Sequence, residues 1–210
     1  MSEHLNPQST RNVLVAVDVQ RDFIDGNLAV KDGEKVVAPL NAVARSVRDT
    51  DGTVIFSRDW HPAQTPHFDK WPIHCVQGTD GAAFDRRLEV QSGDIVISKG
   101  MGTTDGYSAT EGRGERGETL EALIRPRSRT EQVRVFFGGL ATDYCVLNTA
   151  LETAHLFKND RRVSLYLLRD AVRAVNLQPG DGPDAIEAMR RAGVEAMTSD
   201  EVRRTFFGEA

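Results

Sequence analysis

Short runs of almost uninterrupted apolar residues recur along the chain. They are Val13–Asp18, Thr53–Ser57, Asp94–Ser98, Val133–Phe137 and Val163–Leu168. Runs that are apolar on both faces are typical of strands buried on both sides in a parallel sheet. The pattern therefore predicts a set of parallel strands at the centre of the fold.

Helical patterns separate these runs. Apolar residues recur with a period of about 3.6 in Val36–Val47 and again in Leu147–Ala154. A third helix is predicted over Pro183–Ala192, with proline at its start and Gly193 just after its end. Strands that alternate with helices predict an α/β fold, here a doubly wound three-layer sandwich with a mainly parallel central sheet.

The length and charge of the chain limit its organisation and partners. Its 210 residues suit a single domain over residues 11–210, preceded by a polar, flexible N-terminus of residues 1–10. The formal net charge is −5, whereas proteins that bind nucleic acid phosphates normally carry a basic excess, so no nucleic-acid partner is expected. We find no apolar run long enough to span a bilayer and no signal peptide, so a cytoplasmic location without a membrane partner is expected. The sequence leaves open whether the chain forms a homo-oligomer.

Two longer segments, 59–92 and 100–118, carry few helix or strand signals. Long loops in a compact domain are usually functional or mobile. Gly112–Gly117 matches the dinucleotide pattern G-x-G-x-x-G, but this segment is highly charged and does not directly follow an apolar strand. We therefore predict a mobile loop there and no dinucleotide site.

Reactive side chains lie at the carboxyl ends of the predicted strands, which is the edge where parallel α/β sheets bind ligands. Asp18 ends the first run, Lys99 follows the third, and Cys145 follows the fourth, in the first turn of a helix. A helix N-terminus lowers the pKa of a thiol, and its N–H groups can hold an oxyanion. Asp18 can accept the thiol proton, and Lys99 can pair with Asp18. The alternative explanations are a buried structural cysteine for Cys145, a helix cap or a structural ion pair for Asp18, and a solvated strand end for Lys99.

Three of the five histidines are concentrated in a segment that also contains both tryptophans. Together with one carboxylate they form the set Asp59, His61, His67 and His74. One carboxylate and three imidazoles suit a divalent transition metal ion, and we expect zinc first, with iron or manganese as alternatives. Cys75, directly after His74, is predicted to pack as a small buried hydrophobe.

These motifs resemble the nicotinamidase/pyrazinamidase branch of the isochorismatase-like cysteine hydrolases. The matching segments, in family order, are Val17–Phe23, Asp59–Pro62, Trp71–Thr79, Lys99–Gly100, Tyr107–Ser108 and Gly139–Val146. The resemblance implies that the chain converts nicotinamide, and also pyrazinamide, to the acid and ammonia through a cysteine thioester. It also implies a place in NAD salvage.

The resemblance further implies a role for individual residues. The implied catalytic triad is Asp18, Lys99 and Cys145. The implied oxyanion hole consists of the N–H groups of Ala141 and Cys145, next to a cis peptide bond between Leu140 and Ala141. The implied substrate-binding residues are Phe23, Trp71, Gln20 and Tyr107, with Phe23 and Trp71 as the walls that sandwich the ring. The implied metal ligands are Asp59, His61, His74 and His67.

Three alternatives stay open at this point. The first is another amidase of the superfamily that acts on a ureido or carbamoyl substrate, which the clustered histidines argue against. The second is an amidase that uses metal-bound hydroxide and has no need of Cys145. The third is a catalytically silent binding module, which the presence of Asp18, Lys99 and Cys145 together argues against.

Overall fold

A computed structural model of the chain describes residues 9–102 and 104–209. The strands in these ranges form one sheet, in the spatial order β4-β3-β2-β1-β5-β6-β7. Their bounds are β1 (Thr10–Val17), β2 (Thr53–Asp59), β3 (Ile95–Lys99), β4 (Arg113–Gly114), β5 (Gln132–Leu140), β6 (Val163–Arg173) and β7 (Val194–Met197). Neighbouring strands run parallel except β3 and β4, which are antiparallel.

Helices cover both faces of this sheet. They are α1 (Arg21–Ile24), α2 (Val37–Asp49), α3 (Leu120–Ile124), α4 (Leu147–Phe157), α5 (Asp181–Arg191) and α6 (Ser199–Phe207). Short 3-10 turns span Gly33–Val36 and Pro66–Asp69, and a π-helical turn at Thr142–Val146 leads into α4. Buried residues of α2 and α6 share one hydrophobic cluster, and those of α3, α4 and α5 share another.

Strand β1 contributes to both clusters because successive side chains of a strand point to opposite faces. Leu14 and Ala16 belong to the cluster with α2, whereas Val13, Val15 and Val17 belong to the cluster with α4. All five side chains are fully buried. The uninterrupted apolar run thus reflects burial on both faces, and the predicted doubly wound sandwich with a mainly parallel sheet is confirmed.

Strands β2, β3 and β4 are added to the sheet on one side of β1, and β5, β6 and β7 are added on the other side. This change of side leaves a crevice at the carboxyl ends of the parallel strands β1 and β5. The register pairs Val17 with Gly139 and Asp59 with Lys99, so the reactive residues lie level at this edge. Gly139 has φ +116°, and a Cβ there would lie 2.0 Å from the carbonyl oxygen of Val17. Glycine is therefore required where β5 approaches the end of β1.

Some element boundaries differ from the sequence-based expectation. Helix α5 begins at Asp181, so Pro183 lies inside the first turn, where a missing N–H costs no helical hydrogen bond. Strand β7 and helix α6 were not predicted. The α6 start carries a capping box between Thr198 and Glu201, a sequence signal that identifies a helix start.

One expectation about loops needs correction, and one about the N-terminus lies largely outside the described residues. Residues 1–8 of the expected flexible N-terminus are not described, and β1 begins at Thr10, one residue before the expected start of the domain. The expectation of a mobile loop at Gly112–Gly117 is wrong for Arg113–Gly114, which pair with β3 as an edge strand. Across residues 9–102 and 104–209, no helix is long and apolar enough to cross a membrane.

Truncation of a side chain in the core should destabilise the fold. Leu14 is fully buried beneath α2, so Leu14→Ala should lower the free energy of unfolding by about 2–5 kcal/mol. Leu177 is 60% exposed, and Leu177→Ala should change it by less than about 0.5 kcal/mol. Urea denaturation of both variants measures the difference, and equal losses would contradict this packing.

Candidate active site

Lys99, the last residue of β3, is a fully buried ammonium group at the carboxyl edge of the sheet. Its Nζ lies 2.8 Å from Asp18 Oδ2 and 2.5 Å from Asp59 Oδ1. It also donates to the carbonyl oxygen of Gly106 over 2.8 Å and lies 3.4 Å from Cys145 Sγ. Burial alone would lower the pKa of Lys99, but the two carboxylates hold it well above its usual value. Lys99 is therefore charged and joins the carboxylates to the thiol.

Asp18 directly follows β1 and has φ 49°, in the left-handed region that non-glycine residues rarely adopt. Its backbone N–H donates to the carbonyl oxygen of Ser57 over 3.2 Å, and the Ser57 hydroxyl donates to Asp18 Oδ1 over 2.7 Å. Burial raises the pKa of Asp18 above its usual value, although Lys99 opposes this. A carboxylate with a raised pKa is a better proton acceptor at neutral pH. Ser57 was not identified from the sequence.

Cys145 lies in the π-helical turn whose N-cap is Ala141, and no side chain caps this turn. The Asp143 carboxylate, although close to this helix start, accepts the N–H groups of Val175 and Asn176 over 2.9 and 2.8 Å. The peptide bond between Leu140 and Ala141 is cis, as the resemblance implied.

The pKa of Cys145 is not lowered in the way that a helix N-terminus alone would lower it. Cys145 is only 7% exposed, and its Sγ lies within 4.8 Å of carboxylate oxygens of both Asp18 and Asp59. Burial raises the pKa of the Cys145 thiol well above its usual value; Lys99 opposes this shift and the two carboxylates add to it. The resting residue is therefore a thiol. An attack by sulfur needs a base, and Asp18 is the adjacent base.

Each of the three clustered histidines is held through Nδ1. His61 Nδ1 lies 2.9 Å from the carbonyl oxygen of Gly100, and His74 Nδ1 lies 2.7 Å from that of Pro72. His67 Nδ1 contacts the side chain of Asp105. Carbonyl and carboxylate oxygens only accept, so Nδ1 carries a hydrogen in each ring, and the neutral form of each ring has its lone pair on Nε2.

These residues fit a divalent transition metal ion. His61, His67 and His74 offer ring nitrogens that all lie within 4.8 Å of one another. Asp59 Oδ2 lies 3.6 Å from His61 Nε2 and 3.8 Å from His74 Nε2. His61 Nε2 is buried without a hydrogen-bond partner, which is costly unless another group satisfies it. A metal ion would satisfy this nitrogen.

The backbone around the histidines is adapted to this arrangement. A Cβ at Gly100, where φ is +66°, would lie 2.4 Å from Cε1 of His61. Glycine is therefore needed where the chain after β3 passes the ring and accepts its Nδ1–H. Cys75, beyond the cluster, is fully buried in the core on the α2 side, as predicted.

A narrow cavity opens beside Cys145, with Asp59 and two of the imidazoles in its wall. Its lining residues are Phe23, Leu28, Val30, Asp59, His67, Trp71, His74, Tyr107, Ala141, Tyr144, Cys145 and Val175. Trp71 Nε1 donates to the Tyr107 hydroxyl over 2.9 Å, and the Trp71 ring packs edge-on against Tyr144 at 4.9 Å. The structure thus brings Phe23, Trp71 and Tyr107, three of the four residues expected to bind substrate, to the wall of this cavity.

Some lining residues were not identified from the sequence. Tyr144 directly precedes Cys145, a position that could have indicated it. Leu28, Val30 and Val175 carry no chemical signal in the sequence and reach the cavity only through the fold.

Gln20 does not line this cavity, so the expectation that it contacts substrate is corrected. It is fully buried, and its Nε2 donates to the carbonyl oxygens of Asp59 and Ala82 over 2.8 and 2.9 Å. Its Oε1 accepts the N–H of Asp59 over 2.7 Å. Both ends of the amide are therefore committed to backbone groups, and Gln20 fixes the backbone at Asp59.

Comparison with known proteins agrees with this fold and these motifs. The Isochorismatase domain family matches residues 12–201. The chain therefore belongs to the isochorismatase family. It is 32% identical to the nicotinamidase of Escherichia coli (strain K12), over 88% of this chain and 93% of the relative.

Two solved structures are similar in fold and sequence. The first is the pyrazinamidase of Pyrococcus horikoshii in complex with zinc, with a TM-score of 0.76, 32% identity, and coverage of 90% of this chain and 99% of that one. The second is PnC1 from L. infantum in complex with nicotinate, with a TM-score of 0.74, 32% identity, and coverage of 90% and 93%.

The raised pKa of the Cys145 thiol predicts how its alkylation depends on pH. Because only the thiolate reacts, the rate in metal-free protein should rise about tenfold per pH unit from pH 6 to 9 without levelling off. Cys145 should react before Cys75, which is fully buried. Iodoacetamide labelling followed by peptide mass spectrometry measures both rates. A plateau below pH 8 would indicate a thiolate at rest.

Proposed function

We propose that this chain hydrolyses nicotinamide to nicotinate and ammonia. The observation that carries the proposal is the meeting of the Cys145 thiol, the Asp18 carboxylate and the Lys99 ammonium beside a cavity with aromatic walls. The full-length similarity to a nicotinamidase and to a nicotinate complex supports nicotinamide as the substrate. The similarity to a pyrazinamidase supports pyrazinamide as a second substrate.

In this mechanism Asp18 takes the proton of Cys145 as the sulfur attacks the carboxamide carbon. The N–H groups of Ala141 and Cys145 stabilise the oxyanion of the tetrahedral intermediate. Asp18 then gives the proton to the leaving nitrogen, the C–N bond breaks, and ammonia departs from a thioester. Lys99 orients Asp18 throughout through the 2.8 Å contact.

Water completes the cycle. Asp18 removes one proton from the attacking water, and a second oxyanion forms in the same place. When the C–S bond breaks, the proton returns from Asp18 to the sulfur, and the acid formed gives its remaining proton to solvent and leaves as nicotinate. The raised pKa of Asp18 suits both steps, since the same carboxyl group must accept a proton and return it.

We propose that Asp59, His61, His67 and His74 hold one divalent metal ion, with zinc first and iron or manganese as alternatives. A bound ion would supply a Lewis acid for the ring nitrogen of the substrate. Phe23, Trp71 and Tyr107 bind and orient the flat ring. A linear ureido or carbamoyl substrate would need neither the aromatic walls nor a metal ion that binds a ring nitrogen.

The same proposal includes the biological setting expected from the sequence. Conversion of nicotinamide to nicotinate recovers the pyridine ring for NAD salvage, and we expect this reaction in the cytoplasm. The free thiols of Cys75 and Cys145 are compatible with a reducing compartment.

Loss of the nucleophile should abolish the activity. Cys145→Ala should reduce ammonia release from nicotinamide by at least about 10⁴-fold, because the thioester route is removed. Cys75→Ala is the matched control and should remain active, since Cys75 lies in the core outside the cavity wall. Zinc binding and circular dichroism confirm the integrity of both variants. Substantial turnover by Cys145→Ala would favour the alternative with metal-bound hydroxide.

The substrate preference should depend on the ring nitrogen. Benzamide matches nicotinamide in shape but lacks the lone pair, and a site built around a polar contact can reject such an analogue by up to about 10⁴–10⁵. We expect kcat/KM to fall in the order nicotinamide and pyrazinamide, then benzamide, then short linear amides. The measurement uses one metal-replete preparation. Equal values for nicotinamide and benzamide would remove the role proposed for the metal.

A further inference from the structure

Asp105 contacts His67 and Lys70, which lie in a different part of the chain. Its Oδ1 lies 2.9 Å from His67 Nδ1, and its Oδ2 accepts a hydrogen bond from Lys70 Nζ over 2.8 Å. Asp105 belongs to the 100–118 segment, which also supplies the carbonyl oxygens of Gly100 and Gly106 and the cavity residue Tyr107 to the site. The His67 side chain is 3% exposed and that of Asp105 is 30% exposed, so the contact lies at the margin of the site.

This contact determines the state of the His67 ring. The Asp105 carboxylate only accepts hydrogen bonds, so Nδ1 of His67 carries a hydrogen, and the neutral ring then has on Nε2 the lone pair needed to bind a metal. His61 and His74 obtain the same state from the backbone carbonyls of Gly100 and Pro72. His67 is therefore the member of this cluster whose orienting partner is a side chain.

The other contacts of His67 hold its main chain and the plane of its ring. It lies in the 3-10 turn Pro66–Asp69, where its N–H reaches the Thr65 hydroxyl over 3.3 Å and its carbonyl oxygen accepts the N–H groups of Lys70 and Trp71. The ring stacks on that of His61 with the centroids 4.5 Å apart, and this apolar contact does not select which nitrogen faces which partner. The remaining polar contact of the ring is the one to Asp105.

We propose that Asp105 is the positioning residue that makes His67 a fourth metal ligand. Its carboxylate fixes the tautomer and the rotation of the ring and makes Nε2 a stronger donor. This inference rests on the proposed function only in taking the histidine cluster as a metal site. It also adds a side chain to the contacts that the 100–118 segment makes with the site through the carbonyl oxygens of Gly100 and Gly106.

The test measures zinc affinity by competition with a chromophoric chelator. The variants are Asp105→Ala, Asp105→Asn, His67→Ala and the double variant His67→Ala/Asp105→Ala. Lys70→Met removes the other partner of Asp105, and Asp69→Asn removes a neighbouring carboxylate without touching the contact. Thermal unfolding of the metal-free proteins confirms that each variant folds.

Asp105→Ala should raise the Kd for zinc about 10–100-fold, the usual effect of losing such a partner of a metal-binding histidine. Asp105→Asn should recover part of the loss, because its amide oxygen still accepts the Nδ1–H. Lys70→Met should change Kd by less than about fivefold, since an exposed ion pair contributes little, and Asp69→Asn should leave it unchanged. In the His67→Ala background, Asp105→Ala should have no further effect.

Three results would overturn the inference: an unchanged Kd in Asp105→Ala, an unchanged Kd in His67→Ala, or an undiminished effect of Asp105→Ala when His67 is absent. A wild-type protein that binds no zinc would overturn it together with the metal assignment. Wild-type protein that binds zinc but releases no ammonia from nicotinamide would contradict the proposed function alone. The affinity comparison would then still decide the role of Asp105.

Discussion

The site depends on the burial of Lys99 between Asp18 and Asp59. Removal of an ammonium group from water costs several kcal/mol unless close partners compensate it, and here two carboxylates and the carbonyl of Gly106 do so. Asp18, Asp59 and Lys99 together carry a net charge of −1 when both carboxylates are ionised. This negative charge favours proton uptake by Asp18 as Cys145 attacks. It also favours a cation beside the free oxygen of Asp59.

Asp59 connects the two halves of the site because its two oxygens face different partners. Oδ1 contacts Lys99, and Oδ2 faces the Nε2 atoms of His61 and His74. Gln20 holds the backbone of Asp59 at both its N–H and its carbonyl oxygen, which limits rotation of the residue. A displacement of Asp59 would therefore disturb the nucleophile and the metal site together. The buried amide of Gln20 is thus important for the site although it never reaches the cavity.

Where the structure differs from the sequence-based expectations for Gln20, Cys145 and α6, the physical cause can be identified. Gln20 lies close to Asp18 in the chain, but its extended backbone turns the side chain toward Asp59, a direction that no sequence pattern records. The pKa of Cys145 was expected to fall because the thiol starts a helix. The local effect of the helix was visible in the sequence, whereas burial beside two carboxylates from other strands was not. Helix α6 was missed although its capping box was readable, because its pattern is short.

The sequence by itself determined the parallel sheet, the edge at which the chemistry lies, and the residue types available there. These features follow from local periodicity and from the rule that strand ends in an α/β sheet share one edge. Only the tertiary structure decided which carboxylate contacts Lys99 through which oxygen, which nitrogen of each histidine is free, and that Asp105 reaches His67. Such contacts join residues far apart in the chain, and their distances depend on strand order, register and loop conformation, which local patterns do not specify.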